Sequence, residues 1–99
     1  MTSYVLAFRG QPDRGPVPGE EEAWGAWFGR IGASIVDRGN RVAAARTLPA
    51  ANGGDPATTV ITGYVVVAAE DAAAATELAR GCPGLATGVS VEVAEVVSA

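Results

Sequence analysis

Thr-Thr-Val-Ile-Thr-Gly-Tyr-Val-Val-Val-Ala, residues 58–68, is the stretch on which the fold turns. Eight of its eleven residues are β-branched, which fits a pleated, packed strand better than a helix. Read at a period of two, Ile61, Val65 and Val67 oppose Val60, Tyr64 and Val66. Both sides are therefore apolar, and a strand apolar on both sides needs cover on both.

Working upstream, residues 49–57 hold two prolines, two glycines and Asn52, a turn region in which Asn52-Gly53-Gly54 favours a hairpin reversal. Residues 41–48 read as a second, shorter strand. Before it, Glu20, Glu21 and Glu22 open a helix, since carboxylates suit the positive end of the helix dipole. Trp24, Trp27, Phe28, Ile31 and Ile35 follow at spacings of three and four, an apolar stripe down about four turns. Gly25, Gly29 and Gly32 weaken that helix, so packing must hold it, and Asp37-Arg38-Gly39-Asn40 ends it. Residues 10–19, with three prolines and three glycines, form a loop. Residues 3–9 form the first strand, with Tyr4, Leu6 and Phe8 on one side and Val5 and Ala7 on the other.

Downstream, Glu70-Asp71 starts an alanine-rich helix that runs to about Arg80, with Ala75, Leu78, Ala79 and Cys82 on one side. Pro83-Gly84 terminates it. Residues 88–97 are the last strand, Val89, Val91 and Val93 pointing one way and Ser90, Glu92 and Ala94 the other. The order β-α-β-β-α-β predicts one α+β domain over residues 1–99. The expected fold is a ferredoxin-like sandwich, a four-stranded antiparallel sheet with two helices on one face. Two helices cover only one side of such a sheet. Roughly half a dozen apolar side chains on the first and third strands then need a second place to be buried. At ~1.5–3 kcal/mol each, the gross drive is of order 10 kcal/mol before association costs, and a homodimer is expected.

Composition narrows the partners. The chain has 99 residues, 48% of them hydrophobic, and a net charge of −4 from seven arginines, no lysine and eleven acids. An acidic chain without a basic cluster argues against nucleic acid and against anionic membranes as partners. No apolar run is long enough to span a bilayer, and residues 1–9 lack the pattern of a signal peptide. The expected location is the cytoplasm. Without histidine and with one cysteine, neither a metal site nor a cofactor is expected. Cys82 falls at a helix C-terminus with no histidine to activate it, which favours packing over nucleophilic chemistry. Glu20–Glu22 would repel a phosphate and read as a solvated helix start. Gly53-Gly54 follows no nucleotide fingerprint, and Thr62-Gly63-Tyr64-Val65 lacks the basic and aromatic residues of an RNA-binding sheet.

Five residues are candidates for ligand binding: Arg9, Arg46, Tyr64, Trp24 and Trp27. Should Arg9, Arg46 and Tyr64 converge, two guanidinium groups and a phenol would suit a carboxylate or an enolate. The structural alternative makes the arginines solvated strand ends or interface ion pairs and Tyr64 a packing residue. Trp24 and Trp27 either anchor the helix on the sheet or wall a pocket. No catalytic residue is assigned.

Phe8-Arg9-Gly10 after an apolar strand, Trp24-x-x-Trp27, Gly63-Tyr64-Val65-Val66-Val67, Cys82-Pro83-Gly84-Leu85 and Gly88-Val89-Ser90-Val91-Glu92-Val93 together resemble the YCII-related (DGPF-type) family over most of the chain. The resemblance implies a dimeric α+β barrel, two sheets face to face around a central cleft that could hold a small molecule. Two departures stand out. The Asp-Gly-Pro-Phe motif is absent between Asn52 and Thr59, and the histidine of the family's His–Asp pair has no counterpart here. Three functions follow as expectations: a non-catalytic accessory or small-molecule-binding dimer; a cofactor-free enzyme of monooxygenase, isomerase or cyclase type working in the barrel cleft; or an interaction module in transcriptional control.

Overall fold

The computed structural model describes residues 1–54 and 58–98. Strand β1 (Thr2–Gly10) leads through the proline-rich loop into helix α1 (Glu20–Ile31). A 3-10 turn, Gly32–Ser34, passes into the short strand β2 (Ile35–Asp37); residues 42–54 then run without helix or strand, and β3 is Val60–Ala69. Helix α2 (Ala72–Arg80), a second 3-10 turn at Pro83–Ala86 and strand β4 (Ser90–Glu95) complete the chain. The sheet has the order β2-β3-β1-β4 with every neighbouring pair antiparallel. This α+β open sheet with two helices is compatible with a ferredoxin-like fold.

Alternation in β1 decides where the core lies. Tyr4, Leu6 and Phe8 are buried against the helices, with Leu6 opposite Val65 and Val93, and Phe8 opposite Gly63 and Val91. Val65, Val67 and Ala69 of β3, Trp27 and Ile31 of α1, and Ala75, Ala79 and Cys82 from α2 and its exit close the same cluster. Leu6, Trp27, Val65 and Val67 are less than 2% exposed. Each such side chain contributes roughly 1.5–3 kcal/mol. The helix α1 is fixed through aromatic edges: Phe8 meets Trp24 at 4.8 Å and 83°, and Trp24 meets Trp27 at 5.7 Å and 80°, geometries that suit the ring quadrupoles. The Trp27 indole nitrogen donates to the Leu78 carbonyl at 3.1 Å, tying α1 to α2. Helix α2 is capped by Asp71, whose Oδ1 accepts from the Ala74 amide at 2.8 Å.

Three expectations are corrected. The second strand is not residues 41–48 but Ile35–Asp37, and Arg41 makes only an isolated bridge to Gly63. Helix α1 stops at Ile31, four residues before the end of its expected stripe, so Ile35 opens a strand opposite Val67. The cause is local: Gly29 and Gly32 weaken the helix end, and the β-branched pair Ile35-Val36 pairs with the sheet more readily than alanines 43–45 would. Ala44, at φ 55, breaks any extended run there. Lastly, a bulge between Phe8 and Arg9 shifts the register, so that Ile61 stands opposite Arg9 rather than on the side of Val65. The turn expected over 49–57 is seen through Gly54, where Gly53 donates to the Ala50 carbonyl at 3.1 Å; residues 55–57 of it lie outside the described residues. No helix among the described residues is long and apolar enough to cross a membrane.

Candidate functional site: the open face of the sheet

The side of the sheet away from the helices is built from alternate residues of β1, β3 and β4, with Asp37 of β2 at its edge opposite Val66. Its rows follow from the register: Ala68 beside Ser3; Val66, Val5 and Ala94; Tyr64, Ala7 and Glu92; then, past the bulge, Ile61, Arg9 and Ser90. Across β1, β3 and β4 the first two rows are small or apolar apart from Ser3, the Val66 row ending on Asp37 at the β2 edge, and the third places a phenol and a carboxylate on either side of an alanine. With strands ~4.8 Å apart, Tyr64 and Glu92 are separated by about 10 Å across Ala7. Val5, Ala7, Tyr64, Val66 and Ala68 are half-buried in the single chain, whereas Glu92 and Ala94 are exposed.

Of the five predicted ligand-binding residues, two share this face. Arg9 follows Ala7 on β1, and its guanidinium is already engaged: Nε donates to Thr59 Oγ1 at 3.2 Å and Nη2 to the Thr59 carbonyl at 2.8 Å. Those bonds fasten the start of β3 to the end of β1. Tyr64 stands in the middle of β3, and its hydroxyl accepts from Asn40 Nδ2 at 3.4 Å. Arg46 is not in a strand; it is exposed on the irregular segment between β2 and β3. Trp24 and Trp27 lie on the covered side of the sheet with Phe8, so they do not join Tyr64 and Arg9. Glu92 was not among the candidates. The alternation of β4 placed it on this side, but only the pairing with Ala7 brings it into one row with Tyr64.

A second polar cluster was hidden from sequence reading. Arg14, in the proline-rich loop, reaches Glu20 Oε1 at 2.6 Å through Nη2 and also Thr87, at 2.9 Å to Oγ1 and 3.3 Å from Nε to the carbonyl. The same Glu20 oxygen accepts from the Trp24 indole at 3.1 Å. Burial acts to raise the Glu20 pKa, yet the hydrogen bonds from Arg14 and Trp24 and the guanidinium charge outweigh it, and the net shift is downward. Glu20 is thus a structural knot joining loop, α1 and the β4 approach, while Glu21 and Glu22 remain solvated. The i, i+4 spacing of Glu20 and Trp24 was the available signal; Arg14 and Thr87 are 73 residues apart and gave none.

The remaining titratable groups have structural surroundings. Cys82 is 3% exposed, and burial pushes its thiol up despite amides from Gly84 and Leu85 that favour the thiolate. Burial, followed by the charges of Glu95 and Asp71, raises the Tyr4 phenol. Among the described residues no group of three His, Cys, Asp or Glu side chains comes together as a metal site. Two shallow recesses, about 290 Å³ beside Pro16, Val17 and Gly19 and about 160 Å³ between α2 and β4, include none of the five candidate residues. The open face is thus mostly apolar, edged by a phenol, two carboxylates and a tethered guanidinium. Comparison of the chain with family models, with curated proteins and with solved structures finds no match.

Proposed function

We propose that the protein is a YCII-like homodimer, open face against open face, that holds a small molecule in the cleft between its sheets without transforming it. The observation that carries this reading is the apolar open face, continuous over Val5, Ala7, Val66, Ala68 and Ala94. Surface area supports it independently. The chain exposes 6609 Å² at 9.9 kDa. A folded monomer of that mass exposes ~5,200 Å², about 1,400 Å² less. Standard interfaces remove ~800 Å² per partner, so the surplus is ample for one. Neither of the two recesses described above reaches Arg9 or Tyr64, and a second subunit would supply a wall over them.

The test is native mass spectrometry of protein purified from its own host. A dimer with retained extra mass is the expected result. A bare dimer moves the reading towards an accessory role, and a monomer at micromolar concentration overturns it. The row Tyr64–Ala7–Glu92 favours a second reading, a cofactor-free enzyme in which Glu92 takes a proton from a substrate lying over Ala7 and Tyr64 holds the resulting anion. Turnover of the retained compound, lost in Tyr64→Phe with binding kept, separates the two.

A further inference from the structure

Resting on the homodimer reading, we propose that residues 43–54 form an arm by which each subunit clasps the second copy, Arg46 of one chain pairing with Glu92 of the other. The arm leaves the edge of the sheet after β2. Its base is held at home: the Val42 amide donates to the Thr62 carbonyl at 3.1 Å, the Tyr64 amide to the Asn40 carbonyl at 3.2 Å, and Arg38 lies 5.5 Å from the Phe28 ring centre. Arg41 faces Glu21 at 3.7 Å. Beyond Val42 the chain runs to Gly54 with no helix or strand, and Leu48 is 91% exposed. Long structureless segments in compact domains are uncommon and tend to be functional. Leu48 gives the arm one apolar side chain free to be buried against a second copy.

Charge says which surface. Between Asp37 and Asp55 the chain carries three arginines and no acid, whereas the rest holds four arginines against eleven acids. Two subunits of net charge −4 repel one another, and the repulsion falls if each basic arm rests on the acidic body of the other. Among the described residues the open face carries two acids, Asp37 on the β2 edge opposite Val66 and Glu92 on the opposite edge strand, β4. Asp37 is engaged at the root of its own chain's arm, where its Oδ1 accepts from the Gly39 amide at 2.8 Å, which leaves Glu92 for the second copy. Glu92 makes no ion pair among the described residues. Arg38 and Arg41 are exposed too but sit at the base, beside Phe28 and Glu21, and Arg46 is the cation within the arm itself, residues 43–54. The mean radius agrees: 14.2 Å is observed, against ~12.6 Å for a compact chain of this length, as an arm standing off the body requires.

The experiment is sedimentation equilibrium at low and high salt on wild type, Arg46→Glu, Glu92→Arg and the double variant, with Leu48→Asp as a second probe of the arm. All three positions are exposed in the single chain, and circular dichroism checks that each variant folds. Each single charge reversal is expected to raise the dimer dissociation constant roughly tenfold or more at low salt, and the double variant to restore most of it. Leu48→Asp is expected to weaken the dimer at both salt concentrations. A wild-type dimer indifferent to Arg46→Glu and Leu48→Asp overturns the arm while leaving the dimer standing. Singles that weaken without rescue in the double overturn the Arg46–Glu92 pairing. A monomeric wild type removes the homodimer reading itself.

Discussion

At the scale of single residues, three positions carry consequences that their local sequence does not advertise. Gly39 has φ 66, and a Cβ there would run into the Tyr64 carbonyl. Gly39→Ala is therefore expected to cost ~2 kcal/mol or more by urea denaturation, while Gly15→Ala, with open space around it, stays near wild type. Glu20 has its pKa lowered by Arg14 and Trp24 against the opposing effect of burial. Below the ordinary carboxylate value of ~4.3 the unfolded chain binds a proton that the folded chain does not. The cluster thus stabilises fully above that value and loses its contribution as pH falls through the lower, folded one. Urea midpoints measured down the acid range should fall more steeply for wild type than for Glu20→Gln. Cys82 is buried with its pKa raised, so it should resist alkylation in native buffer at neutral pH and react promptly in denaturant. Of these three, only the cysteine's packing role could be read from the sequence, because a helix exit without histidine is visible there. The Gly39 contact and the Arg14–Glu20–Thr87 knot join distant segments and leave no periodic trace.

Among the elements, those with a strong period were legible and the weak one was not. Strands β1, β3 and β4 and helix α2 fall close to where alternation, β-branching and the Asp71 cap put them. The second strand was misplaced because alanines 43–45 count as apolar yet carry little β preference, whereas Ile35 also fits the helical stripe. The face of α1 was right all the same: Trp27 and Ile31 are buried, and Trp24 and Phe28 pack beside them. Trp27→Ala removes a side chain that is 1% exposed and bonded to the Leu78 carbonyl. It is expected to cost ~3–5 kcal/mol, a large share of what a domain of this size has, seen as a lowered melting temperature or failure to fold. The same alternation found the two faces of the sheet, but parity alone misplaced Ile61, since a bulge cannot be read from hydrophobicity.

For the molecule as a whole, the open face is the quantity to perturb. Val66→Asp puts a charge on a half-buried position beside Val5 and away from the core cluster. With the dimer as proposed, the variant should keep its secondary structure and sediment as a monomer; a folded dimer would place the contact elsewhere. The strand order has a further consequence, for the order of folding in time. β1 lies between β3 and β4, and its register runs from Thr2 opposite Ala69 to Tyr4 opposite Glu95. Of the four strands, the earliest in the chain is thus the one whose partners are the two latest. During synthesis β1 stays unpaired until β3, about fifty residues further along, has emerged, and it gains its second neighbour only with β4. Until then chaperones, or premature termination upstream of β4, decide whether the strand finds its own sheet or another chain's.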